Sequence, residues 1–161
     1  MKKLVASMLV LALCAGCGSS TEDGKKTVSV AQIVSHKSLN QIRDAFLAEM
    51  NELGHTEENT TFNMSDAGGQ QNVLNSIMSE FAGANSDVIV AIATPTAMAA
   101  ANYAEDIPVI FSAVTDPVSA GLVSDINKPD KNITGTSDEI QVDKILELAL
   151  EIQPDLKTIG F

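Results

Sequence analysis

The chain has 161 residues, of which 45% are hydrophobic and 4% aromatic, and its formal net charge is −11. This length and composition indicate one globular α/β domain with an aliphatic core, and they exclude a disordered chain. The sequence contains no cluster of Lys and Arg that would neutralise phosphates, so we expect no nucleic-acid partner.

Residues 1–16 have the pattern of a secretory signal peptide. Two Lys precede a 12-residue apolar stretch at 4–15, which is too short to cross a bilayer as a helix. The ending LCAGC resembles the lipobox of bacterial lipoproteins, except that Cys14 occupies a position where Leu is usual. This resemblance implies that Cys17 becomes the lipidated first residue, palmitate included, and anchors the mature chain outside the cytoplasmic membrane.

Cys14 and Cys17 also have the C-x-x-C spacing of a redox or metal-binding pair. Cleavage before Cys17 would discard one of the two, so we favour the signal-peptide interpretation. Residues 17–26 then hold the lipidated Cys and a flexible, polar tether rich in Gly and Ser.

From residue 27 onward, apolar runs alternate with segments of helical periodicity. The predicted strands lie at residues 27–34, 60–64, 88–93, 107–114, 132–136 and 158–161. The predicted helices bury Leu39, Ile42, Phe46, Met50 and Leu53 in the first, with Gly54 ending it; Val73, Leu74, Ile77, Met78 and Phe81 in the second; and Val142, Ile145, Ala149 and Ile152 in the last. This alternation predicts an α/β protein with an open parallel sheet flanked by helices.

Helix starts are predicted from capping residues. The candidate N-caps are Ser38 with Gln41 in a capping box, Thr94 before Pro95, Asp116 before Pro117, and Asp138 with Gln141. The start after Thr94 would leave the backbone N–H groups of Thr96 and Ala97 free to bind a carboxylate or phosphate. The alternative is an ordinary strand-to-helix turn that binds only water.

The loops that follow parallel strands meet at the carboxyl edge of the sheet, where ligands bind in such folds. Here these loops lie at residues 32–37, 66–70, 94–97, 115–117 and 136–138. They are rich in hydroxyl, amide and carboxylate groups, so we expect a polar ligand site along this edge.

Motifs of catalysis and metal binding are missing from the sequence, which has no GxGxxG, P-loop, GxSxG or HExxH. Of the two histidines, we interpret His55 as a solvated turn residue and leave His36 open between an exposed loop residue and a ligand contact. We therefore predict no catalytic residue, no metal site and no cofactor, and expect that the protein is not an enzyme.

Five blocks carry a family resemblance: VAQIVSHKSLNQIRDAFLAEMNELG, AIATPTAMAAA, IPVIFSAVTDPVSAGLV, NITGTSD and LELALEIQPDLKTIGF. In this order and spacing they resemble the substrate-binding lipoproteins of ABC transporters, in particular the group associated with tryptophan and tyrosine uptake. The resemblance implies a two-lobed periplasmic-binding-protein fold of type I. Residues 27–138 would form its first lobe and 139–161 the crossover helix and first strand of the second, whose remainder we expect to be absent.

The same resemblance implies an extracytoplasmic, lipid-anchored protein that captures a small molecule, an amino acid and in particular an aromatic one, for an ABC permease in the membrane. The ligand-binding residues that it implies are Gln32, Thr94, Thr96, Ala97, Thr115, Asp116, Thr136, Ser137 and Asp138. Among these, Asp116 is the expected acceptor for the ligand's ammonium group, and Asp138 serves equally well as a helix cap.

Two other functional classes stay open at this point. One is an extracytoplasmic sensor or receptor lipoprotein of the same fold. The other is an α/β hydrolytic enzyme with Asp116 as a base, although no nucleophile or metal ligands accompany it in the sequence.

Overall fold

The computed structural model of the protein describes residues 24–160. Strands and helices alternate in the order β1 (Lys26–Gln32), α1 (Lys37–Glu52), β2 (Thr60–Asp66), α2 (Gln71–Gly83), β3 (Val88–Ile92), α3 (Thr94–Ala101), β4 (Val109–Val114), β5 (Ile133–Ser137) and α4 (Val142–Ile152). The predicted signal peptide, Cys17, most of the predicted tether and Phe161 lie outside the described residues. No helix within residues 24–160 has the length and apolar content needed to cross a bilayer.

The five strands form one parallel sheet in the order β2-β1-β3-β4-β5. Side chains of a strand alternate between its two faces, and both faces of the central strands are apolar. Ala31, Ile89 and Ala91 belong to the cluster that contains α2 and α3, whereas Val30 and Val90 pack with α1 on the other face. The predicted open parallel α/β sheet flanked by helices is therefore confirmed.

The predicted apolar faces of the first two helices pack as expected, with one exception. Leu39, Ile42, Phe46 and Met50 lie half-buried on the β1 and β3 valines. Leu74, Ile77, Met78 and Phe81 are buried in the main core. Leu53 is 66% exposed, because α1 already ends there and Gly54, at φ 89°, turns the chain away.

The strand order contains a topological switch point between β1 and β3. After β1 the chain crosses outward to β2, and after β3 it crosses in the opposite direction to β4. The loops that leave these two neighbouring strands therefore diverge and open a crevice above their carboxyl ends. For the order 2-1-3-4-5, this crevice is the position at which flavodoxin-like folds hold their ligands.

The first two helices for which we predicted N-caps begin differently. The N-cap of α1 is His36, whose Nδ1 accepts a hydrogen bond of 3.3 Å from the Ser38 backbone N–H, so the predicted Ser38 capping box is wrong. Ser38 is already the second residue of the helix. At α3 the N-cap is Ala93, and Thr94 is the first helical residue rather than the cap.

The remaining two capping predictions also need correction. Residues 117–121 form a single turn and no helix, although Asp116 hydrogen-bonds to that turn as an N-cap residue would. The helix α4 begins at Val142 after Gln141, which makes no side-chain cap, so Asp138 does not cap it. Asp138 lies at the end of β5, and its backbone N–H donates to the Val114 carbonyl over 3.1 Å.

The apolar face of α4 is exposed, contrary to prediction. Val142, Ile145 and Ile152 are 53%, 57% and 77% exposed, Ala149 is half-buried, and no residue of the helix is buried. Residues 156–159 lie beside it and close one side of an open apolar groove of about 440 Å³. Residues 158–160 form no strand, because no strand among the described residues lies beside them.

Candidate functional site

The polar ends of the parallel strands converge on the carboxyl edge of the sheet. Gln32, the last residue of β1, is paired in register with Asp66 of β2 on one side and Ile92 of β3 on the other. It is 2% exposed, which is unusual for a glutamine. Because side chains alternate along β1, Gln32 lies at the carboxyl end of the strand on the same face as Val30, the face that α1 covers.

The Gln32 amide is held on one side only. Its Nε2 donates to Asn40 Oδ1 and Asp66 Oδ2, both over 2.8 Å, and lies 3.2 Å from the Val34 carbonyl oxygen. All three partners are acceptors, which fixes the nitrogen on their side. The other end of the amide, Oε1, is buried and has no hydrogen-bond partner among the described residues.

The start of α3 lies next to Gln32, at the end of β3. Ala93 joins the strand to the helix with φ 78°, its N–H donates to Ser112 O over 2.9 Å, and its carbonyl accepts from the Ala97 N–H over 3.0 Å. The Ala97 N–H is thus the first bond of the helix and is not free, contrary to our expectation. Because Pro95 has no N–H, the donors left without an intrahelical acceptor are those of Thr94 and Thr96.

Thr96 is the second polar residue that the fold buries without a partner. It is fully buried in the first turn of α3, and its Oγ1 makes no hydrogen bond to the described residues. Helical Cα–Cβ bonds tilt toward the N-terminus, so this hydroxyl leans toward the open end of the helix. A buried hydroxyl without a partner costs about 1–3 kcal/mol, so a ligand or an ordered water is expected to complete it.

Backbone strain is concentrated at the same edge. Ala93 and Ala113 have φ of 78° and 55°, and such sparsely populated backbone conformations cost an L-residue about 1–3 kcal/mol each. Ala113 lies in an irregularity of β4, between Phe111 and Val114. Irregular strands and strained residues cluster near binding sites, where they redirect the chain.

The ends of β4 and β5 and the loops that follow them form the outer part of the edge, where several exposed polar groups are hydrogen-bonded to one another. Ser137 Oγ donates to the Thr115 carbonyl over 3.1 Å, and Thr136 Oγ1 lies 3.3 Å from Ser112 Oγ. Gly135 makes this contact between strands possible, since a Cβ there would overlap the Phe111 carbonyl oxygen.

Asp116 accepts hydrogen bonds from its own turn through both carboxylate oxygens. Its Oδ1 accepts from the backbone N–H groups of Val118 and Ser119 over 3.1 and 2.9 Å, and its Oδ2 accepts from Ser119 Oγ over 2.5 Å. The bonds from Ser119, first of all its hydroxyl, hold the pKa of Asp116 below its ordinary value of 3.8. The turn itself therefore uses three of the roughly four acceptor positions of this carboxylate.

The structure brings the predicted residues to one edge in two groups. Gln32, Thr94, Thr96 and Ala97 lie at the switch point, whereas Thr115, Asp116, Thr136, Ser137 and Asp138 lie along the ends of β4 and β5. Sequence reasoning placed Asp66 in a ligand loop without selecting it, and missed Asn40 because it lies inside α1. Nothing in the sequence marks Asn40, which reaches Gln32 only once β1 and α1 have packed.

Residues 24–160 contain no group of three or more His, Cys, Asp or Glu that is placed to hold a metal ion. The exposed His36 is used as the cap of α1, and His55 is exposed after Gly54. The groups on this edge are hydroxyls, amides, carboxylates and backbone donors, which suit a polar organic ligand.

Residues 27–161 match the family model for ABC transporter substrate binding protein. The chain belongs to that family. A tyrosine-binding protein from Clostridioides difficile (strain R20291) is 35% identical over an alignment of 170 positions. The alignment covers 98% of this chain and 49% of the relative.

Solved structures of the ABC transporter substrate-binding family share the fold. An ABC domain from Streptococcus pneumoniae, solved in complex with L-Trp, is 34% identical with a TM-score of 0.80, over 85% of this chain and 46% of that one. The ligand-free, open structure of a substrate binding protein with adhesive properties from Clostridium difficile is 42% identical with a TM-score of 0.73, over 84% and 46%. The present chain spans about half the length of these relatives.

Proposed function

We propose that this chain is the first lobe of an extracytoplasmic solute-binding lipoprotein that captures an aromatic amino acid for an ABC importer. The observation that carries the proposal is a pair of buried oxygens at the switch point, Gln32 Oε1 and Thr96 Oγ1, for which the described part of the chain offers no hydrogen-bond partner. Native proteins seldom leave such groups unsatisfied unless a ligand or ordered water completes them. Their position in the β1/β3 crevice is where a ligand of this fold binds.

The class of ligand is supported by the family. One relative is named for tyrosine binding, and another was solved with L-Trp. An amino acid needs donors for its carboxylate, and the start of α3 supplies the N–H groups of Thr94 and Thr96, the Thr96 hydroxyl and the positive end of the helix dipole. The loops with Thr115, Thr136, Ser137 and Asp138 would border the ligand on its outer side.

We propose that a second lobe completes the cleft. The relatives are about twice as long as this chain, and two-lobed binders enclose most of their ligand between the lobes. Residues 139–161 would then be the crossing segment, and the exposed apolar face of α4 would be covered by that lobe.

The membrane partners are also part of the proposal. Lipid on Cys17 would tether the lobe outside the membrane, close to an ABC permease that receives the ligand. We expect Cys17→Ser to release the protein from membranes or to leave it uncleaved, as measured by fractionation and by the mass of its N-terminus. Unchanged partitioning of a mature, lipid-bearing variant would refute the anchor.

A second candidate function is an adhesive or receptor role, which the relative with adhesive properties favours. Transport and adhesion make different demands, because a transport protein must release its ligand to a permease. Loss of amino-acid uptake after deletion of the gene would support transport, whereas normal uptake with reduced surface attachment would support adhesion.

Calorimetric titration of the full-length protein with L-tyrosine and L-tryptophan tests the proposal. We expect binding of at least one of them, with glycine and L-glutamate as controls that share the backbone groups but lack the aromatic ring. The ligand should be recovered chemically unchanged after prolonged incubation, since we propose no catalysis. Absence of binding to both aromatic amino acids would overturn the proposed ligand class.

A further inference from the structure

We infer that Gln32 Oε1 is the acceptor for the ligand's ammonium group, and that Asp66 and Asn40 are positioning residues that turn this oxygen toward the ligand. The inference rests on the proposed function and deepens it. It replaces the expectation that Asp116 accepts the ammonium group, because both Asp116 oxygens already accept hydrogen bonds from residues 118 and 119.

The hydrogen-bond partners of Gln32 fix the orientation of its side-chain amide. Two of its three Nε2 partners, the Asp66 carboxylate and the Val34 carbonyl, have no hydrogen to donate. Rotating the amide by 180° would therefore set Oε1 against two obligatory acceptors. The observed orientation is the one that leaves the oxygen, and not the NH2 group, facing the unpaired side.

Asp66 and Asn40 are themselves held in place by hydrogen bonds. The Oδ1 of Asp66 accepts from the Gly68 N–H over 2.7 Å, which leaves Oδ2 for Gln32 Nε2. Asn40 is held in turn by Ser35, whose Oγ accepts from Asn40 Nδ2 over 3.1 Å. The amide of Gln32 is thus clamped from β2 and from α1, in the manner of a preorganised binding group.

The negative charge of Asp66 also affects the Gln32 amide, to which its carboxylate is hydrogen-bonded. A carboxylate that accepts from one end of an amide polarises it, so the negative charge of Asp66 strengthens Oε1 as an acceptor. The buried oxygen can only accept, so the group that completes it must be a donor. The start of α3 offers donors on the neighbouring strand, and the two polarities together orient a zwitterion with its carboxylate on α3 and its ammonium group on Gln32.

Two ligands that differ only in the ammonium group provide the test. L-tyrosine carries it, whereas 3-(4-hydroxyphenyl)propionate has the same ring and carboxylate without it; L-tryptophan and indole-3-propionate form a second pair. In the full-length protein we expect Asp66→Asn to weaken binding of the amino acid roughly tenfold, about 1.4 kcal/mol, and binding of the desamino analogue less than about twofold.

A second variant tests the acceptor itself rather than the residue that orients it. Gln32→Met keeps the length of the side chain and removes the acceptor, so it should show the same selectivity with a loss of at least roughly tenfold for the amino acid. Asp106→Asn is the matched control, because it removes one exposed carboxylate from the turn after α3 and should change neither ligand's affinity.

The outcomes separate the two claims. Selective loss of the amino acid in both variants supports the inference. Equal loss of both ligands would mean that Gln32 and Asp66 only maintain the fold, and would overturn the inference while leaving the proposed function intact. A wild-type protein that binds neither amino acid overturns both.

Discussion

The two halves of the carboxyl edge differ in how their polar groups are satisfied. At the switch point, Gln32 and Thr96 are buried, and one oxygen of each side chain has no hydrogen-bond partner among residues 24–160. At the ends of β4 and β5, Asp116 and Ser137 are exposed and hydrogen-bonded to their neighbours. Neighbouring residues thus already bind these polar groups of the outer half. The two buried oxygens of the inner half would instead be completed by a ligand or by water.

This difference predicts opposite responses to substitution. Changes in the outer half should lower stability and leave intrinsic affinity almost unaltered. Changes at the unpaired groups of the inner half should lower affinity without lowering stability. Three substitutions and a change of pH test this contrast.

Gly135→Ala should have the largest effect, on stability. The added Cβ would overlap the Phe111 carbonyl oxygen, a backbone atom that cannot move without disturbing the β4–β5 pairing. We expect a loss of roughly 3 kcal/mol in the free energy of unfolding, measured with urea. Gly83→Ala, at a helical glycine with open space around it, is the control. A variant as stable as the wild type would show that this contact does not hold the outer half together.

Thr96→Val should separate affinity from stability. Valine has nearly the same shape but no hydroxyl, so it removes the buried group that has no partner. We expect at least roughly tenfold weaker binding of the aromatic amino acid, about 1.4 kcal/mol, and an unliganded protein that is as stable as the wild type or more so. Calorimetry and urea unfolding measure the two quantities.

Thr61→Val is the matched control for that variant, because Thr61 is half-buried near the amino end of β2, away from the carboxyl edge. It should leave affinity unchanged. If Thr96→Val lowered stability and left affinity intact, the hydroxyl would stabilise the fold and would not bind the ligand. The proposed difference between the two halves would then be wrong.

Asp116→Asn should alter affinity less than about threefold, because Asn also caps a turn well and the carboxylate is occupied by Val118 and Ser119. A loss of thirtyfold or more, measured by calorimetry on the full-length protein, would return Asp116 to the role of ammonium acceptor. It would also remove the contrast between the two halves.

Acidic pH should produce the smallest effect. Hydrogen bonds from Ser119 hold the pKa of Asp116 below 3.8 in the folded protein, and hydrogen bonds from Ser124 do the same for Asp130. A lowered folded-state pKa contributes stability that is present above the ordinary value and is lost as pH falls through the lowered value. Stability should therefore hold between pH 7 and 5 as far as these groups are concerned, and decline slightly below about pH 4.

The contribution of Asp116 to that decline can be isolated. Urea unfolding at pH 7 and pH 3 should show a smaller decrease for Asp116→Asn than for the wild type, because the variant has lost one of the titrating groups. An equal decrease in both proteins would show that the turn at 117–121 does not depend on the ionised carboxylate.

Much of the fold follows from the sequence because its signals are local. The apolar run of β3 and the periodicity of Leu74, Ile77 and Phe81 are set by burial on a sheet, and both elements form where the pattern predicts. The parallel arrangement then places the polar loops at one edge. Helix α4 shows the limit of this reasoning, since its amphipathic pattern predicts an apolar face but cannot say which part of a protein covers it.

The details of the site depend on long-range contacts and could not be predicted. Ala93 replaces Thr94 as the cap of α3 because its N–H is bound to Ser112 on the neighbouring strand. Gln32 is oriented by Asn40 and Asp66, which lie 8 and 34 residues away. Neither arrangement has a local sequence signal, so only the packed sheet reveals them.

β1 lies between β2 and β3 in the sheet, and this position has a consequence for the order of folding. Its two neighbours, β2 and β3, begin at Thr60 and Val88, so the first strand made has no partner until those segments have left the ribosome. Parallel pairings between distant segments form slowly, because a long loop must close before any pairing is gained. If the chain is exported as we propose, this delay would keep its precursor unfolded for longer during synthesis.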